Sequence, residues 1–393
     1  MLAQSLAGLR VLDFTQVAAG PSCAMMLGDL GAEVIKIESP EGDLSRKIEA
    51  ISVTESITFI ALNRNKRSVV LDLKQAQGRA HALALALRAD VLVHSFRPGV
   101  MQRLGLDAQT LQELNPTLVY CAISAYGQEG PNRDLPGVDG ILQAVTGLMG
   151  VTGTPESGPC KVQTPVIDMA TGYQATIGIL AALQERTRSG RGQVLDIQMY
   201  GASLAMQQMA MTSYLATQQS PGPCGSAAPY AAPNEALRCA DGWIMVAAYH
   251  PQRWQALCEV IGAPELLSHS RFADNAERVR HRGELIAEME ARLVHHTRAH
   301  WLEAMMRADI ICGPILDYAE VLSSDQTAFH GLLEEVQHPV AGTVRLPRSM
   351  LAARGERPLM RRPPPTLGQH TAEVLAELQQ DVPASKAAPA APR

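Results

Sequence analysis

The chain has 393 residues, too many for one compact core, so two domains are expected. Hydrophobic residues make up 46% and charged residues 19%, as in ordinary globular proteins, and a net charge of −5 gives no basis for a nucleic-acid or anionic-membrane partner. The seven cysteines are scattered, odd in number and without a C-x-x-C pair, which argues against a disulfide framework or zinc ribbon and for a reducing compartment.

The start, "MLAQSLAGLRVLDFT", lacks the basic residues and long apolar run of a signal peptide, and no apolar stretch approaches about 18 residues without polar breaks. A cytoplasmic protein is expected. "LRVLDFT" (9–15) reads as a buried strand. A helix, "GPSCAMMLGDLGA", follows, with Pro21 in its first turn, where proline is tolerated. Further strands are expected at 33–39, 67–73, 90–96 and 118–127, with the helix "AQGRAHALALALRA" between two of them. Apolar strands alternating with helices imply a parallel sheet covered on both faces, an open α/β layer of Rossmann type.

After the strand "VLDIQM", a Met- and Ala-rich helix is expected over 200–217. The Pro/Gly/Ser stretch "QQSPGPCGSAAPYAAPNEA" then punctuates the chain. The implied organisation is a large α/β domain over 1–217, a linker or active-site loop over 218–235 and a smaller α+β domain over 236–315. The chain then returns to the large domain over 316–380 in strand-rich sequence, and an Ala/Pro tail over 381–393 reads as disordered.

Nucleotide signatures are absent: there is no G-x-x-x-x-G-K-[ST], and "QVAAGPSCAM" stands where a dinucleotide fold carries G-x-G-x-x-G. His296 and His300 have the spacing of two metal ligands on one helix face. Thr297 reads as a new N-cap, however, which puts His296 outside the helix, and a polar helix face is the better reading. A serine hydrolase lacks its G-x-S-x-G elbow.

Two features can carry chemistry. The first is Asp168, which reads as the N-cap of a long helix over 169–188; the unpaired N–H groups and dipole at such a helix start favour an ionised carboxylate. Such a carboxylate can attack a thioester. Small residues at Ala170, Gly172, Ala175 and Gly178 narrow the helix surface. The second is a recurrence of basic residues near strand ends: Lys36, Arg64, Lys66, Arg67, Lys74, Arg97 and Arg103. Convergence at the carboxyl edge of a parallel sheet would suit a phosphate-bearing ligand.

These stretches together resemble the class III CoA-transferase family (CaiB/BaiF type), which includes formyl-CoA and carnitine CoA-transferases, in a superfamily with α-methylacyl-CoA racemase. The resemblance rests on "GLRVLDFTQVAAGPSCAMMLGDLGAEVIKIESPEGD", "NRNKRSVVLDLK", "ADVLVHSFRPGVMQRLGLD", "NPTLVYCAISAYGQEGP", "GLMGVTG", "DMATGYQATIGILAALQERTRSGRGQ", "DGWIMVAA" and "ADIICGPI", spanning about residues 8–350. It implies a Rossmann-like large domain built from both chain ends, a small middle domain and an interlocked homodimer. It also implies Asp168 as the nucleophile, passing through an anhydride and an aspartyl-CoA thioester, with CoA-contacting positions at Val17, Ala18, Ser39, Lys74, Ser95, Phe96, Arg97 and Arg103. Acyl-CoA and a small carboxylic acid are the implied substrates, with no permanent cofactor and no metal.

Two departures narrow the expectation. Val138 in "PGVD" stands where the racemase branch has a catalytic histidine, and valine cannot shuttle a proton. Ala18 replaces the glutamine of formyl-CoA transferase, and "CGSAAPYAAPN" lacks its glycine-rich loop, which disfavours oxalate and formyl-CoA. The expected function is transfer of CoA from a donor such as succinyl-CoA to a small dicarboxylate, for example itaconate, mesaconate or citramalate. Racemisation and non-catalytic acyl-CoA binding are the alternatives. Tyr126, Gln128, Arg46 and the 222–235 loop stand as choices for the acceptor carboxylate.

Overall fold

The computed structural model describes residues 2–380 except Val53, Met350 and Arg354, so the expected disordered tail over 381–393 lies outside the described residues. Six strands form one parallel sheet: β1 (Arg10–Phe14), β2 (Glu33–Glu38), β3 (Lys66–Val70), β4 (Val91–His94), β5 (Val119–Ser124) and β6 (Val194–Gln198). Their order is β3-β2-β1-β4-β5-β6, so the direction of winding reverses between β1 and β4. A doubly wound sheet opens a crevice at that switch point, beyond the carboxyl ends of the strands.

The period-2 alternation of each strand divides its residues between two cores. Leu12, Ile35, Val69, Leu92 and Tyr120 face one layer, which includes Leu85, Val374 and Leu378. Val11, Val34, Val91, Val119 and Cys121 face the other, with Leu27, Ala175 and Ile179. The helices that bear on the site are α1 (Ala19–Asp29), α2 (Ala76–Ala86), α3 (Val100–Leu104), α4 (Asp139–Val145), α5 (Val166–Ser189) and α6 (Met199–Met206). By length and composition α5 could cross a membrane, where the sequence suggested no such span. Here its Ala175, Ile179, Ala182 and Leu183 are buried in the second core.

The expected rim of cations is mostly not a rim. Lys36 and Lys66 are fully buried on the α1 side of the sheet. Lys66 Nζ lies 3.0 Å from Asp13 and also donates to Pro21 O and Asn63 Oδ1. Lys36 Nζ lies 2.8 Å from Asp43 and donates to Thr15 O. Arg64 pairs with buried Asp29, and Arg67 with Glu33, Glu373 and Glu377. Strand alternation turns the two lysines onto the α1 face, and Arg64 and Arg67 lie before or at the start of β3, the end opposite the carboxyl edge. Burial lowers the Lys66 ammonium to about 8 against the opposing pull of Asp13.

Contacts divide the described chain into two units. Among the described residues the first comprises 2–146, 162–211 and 328–380, and the second 147–161 and 212–327. The second unit thus starts before the expected 236, runs past 315 and takes in a segment assigned to the large domain. One reason is that the expected strand-rich return starts with helices: Asp317 makes a capping box over Tyr318–Leu322, and Asp325–Phe329 follows. The hairpin β10 (Leu333–His338) and β11 (Gly342–Pro347) comes after them; in the second unit β7 (Asn234–Cys239), β8 (Gly242–Ala247) and β9 (Ile311–Pro314) form an antiparallel sheet around its own core. In that unit Thr297 caps the helix Arg298–Arg307, and His296 precedes it. The helix expected over 200–217 is broken at Gln207, whose side-chain amide donates to the carbonyls of Ser203 and Thr146.

The free edge of β3 is covered by the end of the chain. Ser68 accepts at its carbonyl from His370 N–H, and Val70 N–H donates to Thr371 Oγ1. The helix Thr371–Gln380 then packs into the first core, an element the sequence reading did not single out.

Asp13 holds two buried lysines, so Asp13→Asn leaves both short of countercharge. Its expected cost is about 3–5 kcal/mol, read as a fall in the urea midpoint of unfolding.

Candidate active site

The loop after β1 forms the floor of the crevice. Asp43 Oδ1 accepts from the N–H of Val17 at 3.1 Å and from Ser45. Val17 has a φ of 68°, a left-handed conformation that a β-branched residue rarely adopts. Burial would raise the Asp43 carboxyl, but Lys36 and these N–H groups outweigh it and bring it to about 2. Across the switch point Gln16 N–H donates to Ser95 Oγ at 3.1 Å. Two glycines permit close approach. A Cβ on Gly20 would meet Thr15 at 2.3 Å, and one on Gly172 would meet Ser22 Oγ at 2.1 Å, so α1 and α5 pack face to face.

Two adjoining clefts open at the carboxyl edge, sharing Gln16 and Phe96. The larger, about 590 Å³, brings Val17, Ala18, Ser95, Phe96 and Arg97 together with Asp168. The smaller, about 380 Å³, is lined by Ser39, Lys74 and Phe96. Of the eight positions expected to contact CoA, Arg103 alone lines neither cleft; it is exposed on α3. Lys36, Arg64, Lys66 and Arg67 line neither as well. Arg79, which the sequence reading passed over, lines the smaller cleft and donates to the carbonyls of Leu73 and Lys74, fixing that loop.

Asp168 is not the helix cap. Pro165 occupies that position, and Asp168 is the third residue of α5. The cap comes from another helix. Asp139, the first residue of α4 and only 8% exposed, accepts from Ile167 N–H at 2.8 Å and Asp168 N–H at 3.2 Å through Oδ2. Its Oδ1 accepts from Gln143 Nε2, and Gln143 exchanges hydrogen bonds with the backbone of Val162. The strap leading into α5 is thereby tied to α4.

This reverses the expected electrostatics. The N–H groups that would stabilise an Asp168 anion are already engaged. Burial, and then the charge of Asp139, push the Asp168 carboxyl up to about 7. Among the described residues, no donor hydrogen-bonds its carboxylate. The sequence reading treated "PGVD" only as the site of Val138 and missed Asp139. The one signal available was an aspartate directly after that valine.

Arg133 is a third residue missed. It lines the same cleft as Asp168, and its only ion pair among the described residues is a 3.5 Å contact with the well-exposed Asp134. Of the residues offered for the acceptor carboxylate, Arg46 is unavailable. It is buried, bidentate on Glu38, paired with Glu55 and stacked over Phe59. Tyr126 and Gln128 line neither cleft; Tyr126 packs near Tyr200, and the Gln128 N–H donates to Asp196. Val138 stands in the cleft wall, 66% exposed.

Asp168 thus stands in a two-part cleft at the switch point of a doubly wound sheet, where folds of this kind bind their ligands. The chain belongs to CoA-transferase family III, whose sequence profile matches residues 6–371. It is 35% identical over 375 residues to the succinyl-CoA:glutarate CoA-transferase of Mus musculus, covering 95% of this chain and 86% of that protein. It is 39% identical over 328 residues to the acetyl-CoA:oxalate CoA-transferase of Acetobacter aceti, covering 83% and 84%. Its fold superposes on a CaiB/BaiF family protein from Brucella suis with a TM-score of 0.85 at 32% identity, covering 95% and 98%.

The raised carboxyl has a consequence for stability. Its folded value, about 7, exceeds the ordinary 3.8, so folding binds a proton between those pH values. The destabilisation is absent below pH 3.8 and complete above about 7. Asp168→Asn is therefore expected to raise stability at pH 8 by on the order of 2–4 kcal/mol, and to leave it nearly unchanged at pH 4. Urea titrations at both pH values check this.

Proposed function

We propose that this chain moves CoA from an acyl-CoA donor such as succinyl-CoA to a small dicarboxylate, with Asp168 as nucleophile. The observation that carries the reading is the partly buried Asp168 carboxylate, without a hydrogen-bond donor among the described residues, in the larger cleft. Asp168 attacks the donor thioester carbonyl; the C–S bond breaks, CoA thiolate leaves and a mixed anhydride forms. The thiolate attacks the aspartyl carbonyl, releasing the donor acid and leaving an aspartyl-CoA thioester. The acceptor carboxylate opens that thioester, giving a second anhydride and free thiolate. The thiolate then takes the acceptor acyl group and restores Asp168. Water enters no step, so the thioester energy is conserved, provided the cleft excludes it.

Lys74, with Arg79 beside it, would meet the phosphates of CoA in the smaller cleft, together with Ser39. The pantetheine arm would pass Gln16 and Phe96 into the larger cleft, along Val17, Ala18, Ser95 and Arg97. We assign Arg103 a contact at the outer phosphates only. Arg133 is our choice for the far carboxylate of the acceptor, because it is the second guanidinium lining the Asp168 cleft besides Arg97. Racemisation is disfavoured by Val138, which offers no proton carrier beside the cleft.

We also propose an interlocked homodimer. Ile141 and Val145 on α4, and Tyr173 and Ile177 on α5, are half-exposed or more at i,i+4 spacing, which leaves an apolar strip to be covered. The seven unpaired cysteines fit a cytoplasmic setting.

Asp168→Asn should lower turnover on the order of 10³-fold or more, while binding of CoA is retained. Incubation of the parent with succinyl-CoA, followed by borohydride or hydroxylamine trapping and peptide mapping, should label Asp168. Label elsewhere, or full activity in the variant, overturns the assignment. Arg133→Gln should raise KM for diacids about 10–100-fold, the worth of a charge-assisted hydrogen bond, with KM for a donor that has no far carboxylate, such as acetyl-CoA, unchanged. The panel should run from oxalate to glutarate, since the Acetobacter relative is named for oxalate, an acid that Ala18 was read as disfavouring. Equal effects on monocarboxylates would remove Arg133 from acceptor recognition.

A further inference from the structure

We propose that Asp139 is a positioning residue for the chemistry at Asp168: it occupies the start of the nucleophile's helix and sets a second carboxylate against the nucleophile, favouring the uncharged covalent adducts over the free enzyme. The inference rests on Asp168 acting as nucleophile. An aspartate in the first turn of a helix ordinarily gains from the free N–H groups and positive end of the dipole. That gain stabilises the anion and blunts its reactivity. In this chain the N–H groups of Ile167 and Asp168 both point to Asp139 Oδ2. The orientation of Asp139 is fixed on its other side by Gln143, itself bonded to both the N–H and the carbonyl of Val162. A buried carboxylate with both oxygens engaged cannot swing away when its neighbour ionises.

The repulsion exists in only one state of the cycle. Free Asp168 carries a negative charge beside Asp139. As an anhydride or a thioester it carries none. Each covalent adduct is therefore relieved of a repulsion that the free enzyme bears, which is ground-state destabilisation with an identifiable source. Asp139, from α4, is the charged group whose field reaches the Asp168 carboxyl; Arg97, from the loop after β4, and Arg133, from the segment before α4, line the same cleft. The cleft-lining residues of α1 (Ala19, Gly20), together with Ala18 before it, and of α6 (Met199) carry no charge.

Asparagine and alanine separate the two roles. Asp139→Asn keeps the oxygen that accepts from Ile167 and Asp168 while removing the charge and the acceptor for Gln143 Nε2, whereas Asp139→Ala removes all three. In Asp139→Asn the inflection in single-turnover adduct formation, read by intact-protein mass over pH, should move down by about one unit or more. The fraction of enzyme held as adduct at pH 7.5 should fall about tenfold, with the unfolding midpoint little changed. Asp139→Ala should lose the midpoint as well. The same inflection is read without turnover by comparing the pH dependence of unfolding for Asp168→Asn and its parent, each with and without Asp139→Asn. An inflection and adduct fraction that stay put in Asp139→Asn, while Asp139→Ala only unfolds more easily, would reduce Asp139 to a helix cap and overturn the proposal. Absence of any adduct in the parent would instead defeat the nucleophile assignment; the unfolding comparison would still decide whether Asp139 acts on Asp168.

Discussion

The buried charge cluster of Asp13, Lys36, Asp43 and Lys66 is the constraint on which the site depends. Four ionisable side chains inside one sheet face are costly to desolvate, and each is tolerable only because the others are present. Their geometry is dictated by parallel register. Asp13 stands opposite Lys36 on the next strand, which brings the two into one layer. What the cluster secures is a loop. Lys36 bonds the carbonyl of Thr15, Lys66 that of Pro21, and Asp43 the N–H of Val17. The chain between β1 and α1 is thus gripped at three points by groups that cannot move without unpairing a buried charge. Val17 can keep its left-handed backbone for that reason, and the floor of the cleft is rigid before any ligand arrives.

From that floor the rest of the site follows by packing. Gly172 lets α5 settle onto α1, which carries the start of α5 towards the switch point between β1 and β4. There the second pair of carboxylates works in the opposite sense from the first. Asp13 and Asp43 are surrounded by cations and held as anions. Asp168 is partly buried beside another carboxylate and no described donor, and its carboxyl is raised. Two kinds of aspartate thus share one face of the sheet, one held as anions by cations and the other pushed towards its protonated form.

Much of the fold was legible because it is written in local pattern. Apolar strands such as "VLVH" and "VYCAIS" announce a sheet covered on both faces, and the alternation with helices fixes its class. Asp168 drew attention because its surroundings in the chain are distinctive, and it lines the larger cleft. What the chain order conceals is direction. Lys36, Arg64, Lys66 and Arg67 look like a ligand rim in one dimension; in the fold the two lysines turn onto the α1 face, and the two arginines lie before or at the start of β3, opposite the carboxyl edge. Asp139 lies 29 residues from the Asp168 N–H it caps, so its role has no local signature. Residues 318–329 were read as strand-rich from the hydropathy around them, yet Asp317 and Glu320 form a capping box, a three-residue signal that decides for helix.

The stitching of residues 368–371 onto the outer edge of β3 has a bearing on how the molecule is made. Val70 and Thr371 are partners 301 residues apart. On a ribosome adding about 5–20 residues per second, β3 emerges some 15–60 s before the segment that covers it. During that interval the strand presents unpaired backbone groups and Arg67 lacks two of its three carboxylates. The sheet that carries the candidate site is therefore closed at its outer edge long after its own strands have been made.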